Sequence, residues 1–291
     1  MPITSEFAVQ LPSPLVRLHD ERVAAAGVRL LLKRDDLLHP DVPGNKWRKL
    51  KNNLAAAGKQ GHRRLLTFGG AYSNHLRATA AAGRYFGFGT VGVVRGEEHR
   101  PLNESLAYAE RQGMQLTYLD RATYRRKTEP DVLAGLADRF GPCYVLPEGG
   151  SNGLAARGCA ELPAEITEVF DVICCACGTG ATLAGLAAGL RPGQRALGFA
   201  VLKGEFLERE VRRLQHEAFG AETRNWSLDG GFPFGGYAKR TAELDAFIAD
   251  FRARHGVTLD WVYEAKMMYG LVQRIRTGTF APGSTVVAVL C

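Results

Sequence analysis

Short apolar runs alternate with longer segments of helical periodicity along the chain, and this alternation constrains the fold more than any other feature. The runs with the length of a buried strand are 28–32, 65–68, 90–94, 115–119, 144–146, 171–176, 196–202, 260–263 and 285–290. Between them, in segments such as 47–57, 76–86 and 183–190, apolar residues recur three and four positions apart. Strands that alternate with helices are typical of crossover connections between parallel strands. The sequence therefore predicts an α/β protein with parallel-rich twisted sheets flanked by helices.

Two turn-forming stretches mark where the chain can pass between domains. The stretch from Pro147 to Gly153 continues neither a helix nor a strand easily, and Pro43-Gly44 forms a second break. A chain of 291 residues would ordinarily divide into two domains. We therefore predict a larger α/β domain of residues 1–46 and 148–291, with residues 47–147 inserted as a smaller α/β domain.

The composition, with 46% hydrophobic and 23% charged residues, favours a globular protein. The formal net charge of +7 comes from basic residues that are spread along the chain, which favours a solvated surface over a nucleic-acid-binding stripe. The start of the chain lacks the regions of a secretory leader, and no apolar run reaches the roughly 18 residues of a membrane span. We expect a cytoplasmic protein that binds neither nucleic acid nor membrane.

Six cysteines are too sparse for a disulfide scaffold. Cys174 and Cys177 have C-x-x-C spacing, but they lie in an apolar run that reads as a strand. Residues three apart on a strand point to opposite faces, so one metal ion could hardly bind both. The sequence therefore predicts no metal site.

A strand, a Gly- and Thr-rich loop and a helix follow one another after residue 171. The loop residues are Cys177, Gly178, Thr179, Gly180, Ala181 and Thr182. This order points free backbone N–H groups and a helix N-terminus at one place, and the threonine hydroxyls add donors, as in a phosphate-binding loop. The loop lacks the ending of a P-loop and the spacing of a dinucleotide fingerprint. A phosphate site and a plain tight turn are both compatible with it.

Gly69–Asn74 repeats this strand-loop-helix order, although Ser73 or Asn74 could simply cap the helix. A third helix start carries Lys46, directly after the turn at Pro43-Gly44. Two helix starts suited to anions can hold a phosphate and a carboxylate, and a held lysine amine can attack an aldehyde. Together these segments suggest a bound aldehyde cofactor.

Four motifs occur in the same order as in a known family. They are Gly44-Asn45-Lys46 with Arg48-Lys49-Leu50, Ser73-Asn74-His75 with Arg77, Pro147-Glu148-Gly149-Gly150-Ser151-Asn152, and the Thr179–Thr182 loop. In these motifs the chain resembles the 1-aminocyclopropane-1-carboxylate (ACC) deaminase and D-cysteine desulfhydrase family. That family consists of pyridoxal phosphate enzymes of the tryptophan synthase β-subunit fold type. The resemblance therefore implies this two-domain fold, known as fold type II, and pyridoxal 5'-phosphate as the cofactor.

The resemblance also implies a role for each motif residue. Lys46 forms the Schiff base with the cofactor, and Asn74 binds the 3-oxygen of the cofactor. Ser73 lies beside the substrate as a candidate nucleophile or acid/base group. The backbone that follows Ser73, at Asn74 and His75, holds the substrate carboxylate. The loop from Cys177 to Thr182 takes the phosphate.

Three later residues match active-site positions of the family. Tyr237 and Tyr263 match two tyrosines, which implies that they exchange protons with the substrate and that Tyr237 contacts it. Without the resemblance, either would read as a core or rim aromatic. Glu264 matches a glutamate that contacts the pyridine nitrogen in the deaminase branch, where the desulfhydrase branch has a threonine. Such a carboxylate favours a protonated ring and difficult bond cleavage; a surface ion pair is the plainer interpretation.

The implied reaction is the breakdown of a small amino acid to a 2-oxo acid and ammonia, by ACC deamination or by β-elimination from D-cysteine. The chain ends at Cys291, where the family continues into a His-(Thr or Leu)-Gly-Gly segment, so this position matches neither branch. The alternatives are a non-catalytic relative that binds pyridoxal phosphate and an amino-acid racemase or dehydratase of the same fold. The resemblance also implies a homodimer.

Overall fold

The computed structural model describes residues 7–202 and 206–291, and in these ranges the chain forms ten strands and eleven α-helices. The strands are β1 (Leu15–Arg17), β2 (Arg29–Arg34), β3 (Arg64–Gly69), β4 (Gly89–Arg95), β5 (Met114–Leu119), β6 (Tyr144–Leu146), β7 (Val172–Cys177), β8 (Arg195–Ala200), β9 (Trp226–Asp229) and β10 (Thr285–Leu290). The helices are α1 (Glu21–Ala24), α2 (Asn45–Lys59), α3 (Asn74–Phe86), α4 (Glu104–Arg111), α5 (Arg121–Arg125), α6 (Pro130–Phe140), α7 (Gly153–Cys159), α8 (Ala181–Gly189), α9 (Phe206–Phe219), α10 (Ala242–His255) and α11 (Glu264–Arg276).

The chain divides into two compact units, which we name by their sheets. Among the described residues, the six-stranded unit consists of Gln10–Leu38 and of those in Asn152–Cys291, and the four-stranded unit consists of residues 7–9 and His39–Ser151. Strands β2 and β10, from the two ends of the chain, pair in parallel within the six-stranded unit. Residues His39–Ser151 therefore form an insertion between the two parts of the six-stranded unit.

The boundaries of the units differ from the predicted positions 46/47 and 147/148. They lie at 38/39 and 151/152, and the described residues 7–9 belong with the insertion. The ring of Phe7 explains why residues 7–9 belong with the insertion. Its centroid lies 4.3 Å from that of His39 and 4.8 Å from that of Trp47, and both partners are in the four-stranded unit. Residues 1–6 and 203–205 of the predicted larger domain lie outside the described residues.

The six-stranded sheet has the order β1-β2-β10-β7-β8-β9, and each pair is parallel except β1 with β2. Apolar side chains cover both of its faces. On β7, Cys174 belongs to one core and Cys175 and Cys177 to the core on the other face. A strand that is buried on both faces reads as a continuous apolar run, as β7 and β10 do. The predicted α/β fold with parallel-rich sheets is confirmed.

The four-stranded sheet has the order β5-β4-β3-β6 and is parallel throughout. Helix α3 packs its apolar side against this sheet, where Ala78 and Ala82 share a core with Leu65 and Leu146. Because parallel strands end at the same edge, the loops that follow β3 and β6 emerge side by side. These loops carry Ser73 and the turn at Glu148–Gly150.

One predicted strand was wrong, and two strands were missed. Residues 260–263 form a turn that leads into α11, because Asp260 Oδ1 accepts hydrogen bonds from the backbone N–H groups of Val262 at 2.9 Å and Tyr263 at 2.7 Å. These local bonds replace those of a strand ladder. Strands β1 and β9 lie at the two edges of their sheet and have only 3 and 4 residues.

No helix within residues 7–202 and 206–291 is long and apolar enough to cross a membrane. The same residues contain no cluster of three or more side chains that could hold a metal ion. All six cysteines lie in the described part of the chain and are thiols rather than disulfides.

Candidate active site

Lys46 lies in the first turn of α2. Gly44 precedes the helix with a φ of 59°, in the left-handed region that a side chain would disfavour. Lys46 Nζ donates a hydrogen bond to Asn45 Oδ1 at 2.7 Å. Within the described residues, no side chain caps this helix start. The lysine amine is thus held at a helix N-terminus.

Ser73 caps α3 through its side-chain oxygen. The hydroxyl oxygen accepts a hydrogen bond from the backbone N–H of Leu76 at 3.3 Å. Gly69 makes room for it, since a Cβ at this position would lie 2.6 Å from Ser73 Oγ. The cap uses the oxygen as an acceptor, so the hydroxyl proton can still be donated to a ligand. Asn74 begins the helix, where backbone N–H groups have no intrahelical acceptor.

The His75 side chain is turned into the four-stranded unit, and the residue is 2% exposed. His75 Nε2 lies 2.9 Å from Thr67 Oγ1, and Thr67 donates to the Leu146 carbonyl at 3.1 Å, which places the imidazole proton on Nε2. Burial lowers the pKa of His75 to about 3, with help from the charges of Lys46 and Lys49. The imidazole ring is therefore neutral and bound to the sheet. The predicted contact of His75 with the substrate would be made by the backbone N–H of His75, not by the ring.

The glycine loop joins β7, which ends at Cys177, to α8, which begins at Ala181. Gly180 has a φ of 83°, and a Cβ there would lie 3.1 Å from Val211 Cγ2. In the described part of the chain no side chain caps the start of α8. The first N–H groups of any α-helix have no intrahelical acceptor, so those at the start of α8 can bind a ligand. Thr182, in the first turn, is buried.

Tyr263 lies against the same loop, since a Cβ at Gly178 would be 3.0 Å from Tyr263 Cε1. Tyr263 Oη donates to Tyr237 Oη at 3.5 Å, and the two ring centroids are 6.1 Å apart. The six-stranded unit therefore brings the glycine loop and both predicted tyrosines together. Lys46, Ser73, Asn74 and His75 lie in the four-stranded unit, where the charge of Lys46 helps to lower the pKa of His75.

Glu264 is the first residue of α11 and is 5% exposed. Its Oε2 accepts a hydrogen bond from the backbone N–H of Asp260 at 3.1 Å, and its Oε1 accepts one from the backbone N–H of Cys291. Burial raises the pKa of Glu264 to about 8, although the two N–H donors oppose this shift. The burial excludes the plainer interpretation of Glu264 as a surface ion pair.

Asp260 is a contributor that the sequence reasoning missed as a site residue. Its side chain fixes the turn before Tyr263, and its backbone N–H holds Glu264, as described above. The signal that could have found it is a carboxylate a few residues before a helix start, which is typical of capping.

The sequence profile of a family described as "Pyridoxal-phosphate dependent enzyme" matches residues 8–291. The chain belongs to this family. Membership confirms the predicted cofactor, pyridoxal 5'-phosphate, and the prediction that the protein is an enzyme.

Named members of the pyridoxal phosphate family resemble the chain over most of its length. A crystal structure described as an ACC deaminase homologue has a TM-score of 0.85 and 30% identity, and covers 98% of this chain and 90% of its own. The bifunctional D-cysteine desulfhydrase/ACC deaminase of Arabidopsis thaliana, a mitochondrial protein, is 30% identical over 91% of this chain and 72% of its own length. The D-cysteine desulfhydrase of Salmonella paratyphi B is 31% identical over 87% of this chain and 83% of its own length. The predicted family and fold type are confirmed.

The residues of the chain fit the cofactor of this family. The start of α8 offers N–H groups that no side chain caps, which suits a phosphate group. Lys46 offers an amine for an aldehyde, and Glu264 offers a buried carboxyl group for a ring nitrogen.

The raised pKa of Glu264 predicts how the stability of the cofactor-free protein depends on pH. Folded Glu264 keeps its proton up to about pH 8, whereas the unfolded side chain loses it near its ordinary value of 4.5. The contribution of Glu264 to the free energy of unfolding is therefore fully present below pH 4.5 and is lost as the pH rises to about 8. The loss should approach about 1.4 kcal/mol per pH unit within this window.

The measurement compares urea unfolding of the wild type with that of Glu264→Gln at several pH values. Glutamine does not titrate, so the difference between the two free energies isolates the titration of Glu264. A difference that stays constant between pH 5 and pH 8 would contradict the raised pKa.

Proposed function

We propose that the protein is a pyridoxal phosphate-dependent lyase that breaks down a small amino acid, with the uptake of one water molecule, to a 2-oxo acid and ammonia. The substrate is ACC, whose ring is opened, or D-cysteine, which loses sulfide by β-elimination. The observation that carries the proposal is the convergence of Tyr237, Tyr263 and the glycine loop in the six-stranded unit, with Glu264 buried at the next position. Two hydroxyl groups and a carboxyl group are acid/base groups that such reactions need.

Four parts of the chain would hold the cofactor. Lys46 would bind it covalently, and Asn74 would bind its 3-oxygen. The loop from Cys177 to Thr182 would bind its phosphate, and Glu264 would bind its ring nitrogen. When bound, pyridoxal phosphate withdraws electrons from the α-carbon of an amino acid and weakens the bonds at that carbon.

The remaining groups act on the substrate. The N–H groups of Asn74 and His75, at the start of α3, bind the substrate carboxylate, because a helix N-terminus favours an anion. Once the substrate amine has displaced it, Lys46 Nζ would serve as the base that removes a proton from the substrate. The hydroxyl groups of Ser73, Tyr237 and Tyr263 give or take the other protons.

Glu264 is the residue that bears on the choice between the two substrates. Glu264 keeps its own proton up to about pH 8, so it would donate that proton to the ring nitrogen, and the carboxylate that remains would favour the protonated ring. A protonated ring supports the harder cleavage of the cyclopropane ring. The Arabidopsis relative is named as a bifunctional enzyme with both activities, so the two activities are not mutually exclusive in one protein. We therefore propose ACC and D-cysteine together as the substrates to be tested.

The experiment is an assay of the cofactor-loaded protein with ACC, D-cysteine, L-cysteine and D-serine. We expect a 2-oxo acid and ammonia from ACC or D-cysteine, and sulfide as well from D-cysteine. Turnover of D-serine alone would favour the dehydratase, and interconversion of enantiomers without oxo acid would favour the racemase. Cofactor absorbance without turnover of any amino acid would leave only a non-catalytic binder.

The homodimer and the cytoplasmic location stay predictions. Light scattering of the purified protein measures the mass of the particle, and a mass of one chain would contradict the dimer. Fractionation of the source cells tests the location.

A further inference from the structure

Lys266 is a buried lysine that the proposed reaction does not use. It lies in the first turn of α11 and is 1% exposed. Its Nζ donates hydrogen bonds to the carbonyl oxygens of Pro233 at 3.0 Å and Gly236 at 2.7 Å. Burial lowers the pKa of Lys266, and Asp260 is the carboxylate whose charge opposes this shift. The buried amine thus binds main-chain carbonyls rather than a carboxylate.

The segment that Lys266 binds has an uncommon backbone. Phe234 and Ala238 have φ values of 46° and 49°, in the left-handed region that residues with a side chain rarely adopt. Gly235 and Gly236 also have positive φ values, of 87° and 115°. Such a run persists only where surrounding contacts hold it in place.

Two main-chain hydrogen bonds form turns in this segment. The backbone N–H of Gly236 donates to the Pro233 carbonyl at 2.9 Å, and the N–H of Lys239 donates to the Gly236 carbonyl at 3.2 Å. Lys266 binds these same two carbonyls, so one ammonium group closes both turns from inside. Beyond these bonds, the ring of Phe234 packs edge-on against Tyr269 with centroids 5.0 Å apart.

Tyr237 follows directly after the second of these carbonyls. Its hydroxyl lies 3.5 Å from that of Tyr263, which precedes α11, and Lys266 lies in the first turn of the same helix. The start of α11 therefore carries both Tyr263 and Lys266. We call the two hydrogen bonds from Lys266 to the 233–238 segment the ammonium clamp.

We propose that Lys266 is a positioning residue that fixes the 233–238 segment and thereby holds the Tyr237 hydroxyl against Tyr263. The inference rests on the proposed function, in which both tyrosines move protons. Lys266 acts through Tyr237 and touches no reacting atom. Displacement of a proton-transferring group by about 1 Å can cost up to roughly 10²-fold in rate.

The test compares Lys266→Met, Lys266→Gln and a matched control, Lys33→Met. Lys33 is also buried, at 1% exposure, and binds the Ser13 carbonyl at 2.7 Å and Glu165 Oε2 at 3.0 Å, outside the proposed machinery. We expect Lys266→Met to lower kcat by about tenfold with a much smaller change in KM. Lys266→Gln, which keeps an N–H donor, should recover part of the loss, and Lys33→Met should leave kcat unchanged.

A double-mutant cycle separates positioning from general destabilisation. In a Tyr237→Phe background, Lys266→Met should cost little further activity, because the group that it positions is already gone. A loss of kcat that is equally large in both backgrounds would overturn the proposal, as would an equal loss in Lys33→Met. If Lys266→Met does not fold, the same cycle is run with Lys266→Gln.

Amide hydrogen exchange provides a readout that needs no activity. The N–H groups of Gly236 and Lys239 should exchange faster in Lys266→Met than in the wild type or Lys33→Met, because their acceptor carbonyls lose the ammonium clamp. Unchanged exchange at both amides would overturn the proposal that Lys266 fixes this segment. Absence of turnover in the wild type, in contrast, would reject the proposed function, and hydrogen exchange would still decide whether Lys266 fixes the segment.

Discussion

Replacement of Lys46 by alanine is expected to lower turnover by more than about 10³-fold while leaving the fold intact. The variant removes the amine that donates a hydrogen bond to Asn45 at the start of α2. The side chain is only half-buried and starts a helix in which alanine is well tolerated, so the free energy of unfolding should change by no more than about 1 kcal/mol. Steady-state assays and the visible absorbance of the cofactor-loaded protein measure the loss.

Lys59→Ala is the matched control for this prediction. Lys59 is the last residue of the same helix and is exposed. Its replacement should leave both the activity and the visible absorbance unchanged. If Lys46→Ala retained the absorbance of the wild type, the lysine that binds the cofactor would have to be sought elsewhere. Loss of cooperative unfolding would instead indicate a structural role for Lys46.

Replacement of Gly180 by valine is expected to weaken cofactor binding by on the order of 10²-fold, which corresponds to the loss of one or two hydrogen bonds to a charged group. Gly180 has a φ of 83°, which a β-branched residue does not readily adopt, and its Cβ would lie 3.1 Å from Val211. The loop must therefore shift, and the N–H groups at the start of α8 shift with it. Titration of the cofactor-free protein with pyridoxal phosphate measures the dissociation constant.

Gly193→Val separates backbone strain from the role of the loop. Gly193 lies in the same unit with a φ of 88°, and a Cβ there would meet no atom within 4 Å. Both variants should therefore lose stability through strain, by about 1–2 kcal/mol, but only Gly180→Val should lose cofactor affinity. Equal affinity in the two variants would show that the glycine loop does not bind the phosphate.

The interior strands of the fold could be predicted from sequence because their patterns are local. Strand β10 was predicted with its observed bounds, 285–290, and β7 within one residue at each end, because strands buried on both faces are apolar throughout. Strand β1 has an exposed, basic edge and no such pattern. The residues 260–263 are apolar enough for a strand, but the Asp260 side chain satisfies their backbone locally.

The residues of the candidate site could be predicted where they lie in ordered motifs. The orientation of a side chain could not be predicted where contacts with residues distant in sequence determine it. The motif around Ser73 indicates a helix start but not that the His75 ring turns inward to Thr67. Lys266 resembles any lysine of an amphipathic helix in sequence. Only the structure shows that it binds a turn some 30 residues earlier.

The most direct test of the central assignment is to find where the cofactor is bound. The protein is loaded with pyridoxal phosphate, reduced with borohydride and digested, and the peptide that carries the pyridoxyl group is sequenced by mass spectrometry. We expect the label on Lys46, in the peptide that contains Asn45. A label on a different lysine, or no label on a protein that binds the cofactor, would contradict the assignment of Lys46 and the proposed reaction that depends on it.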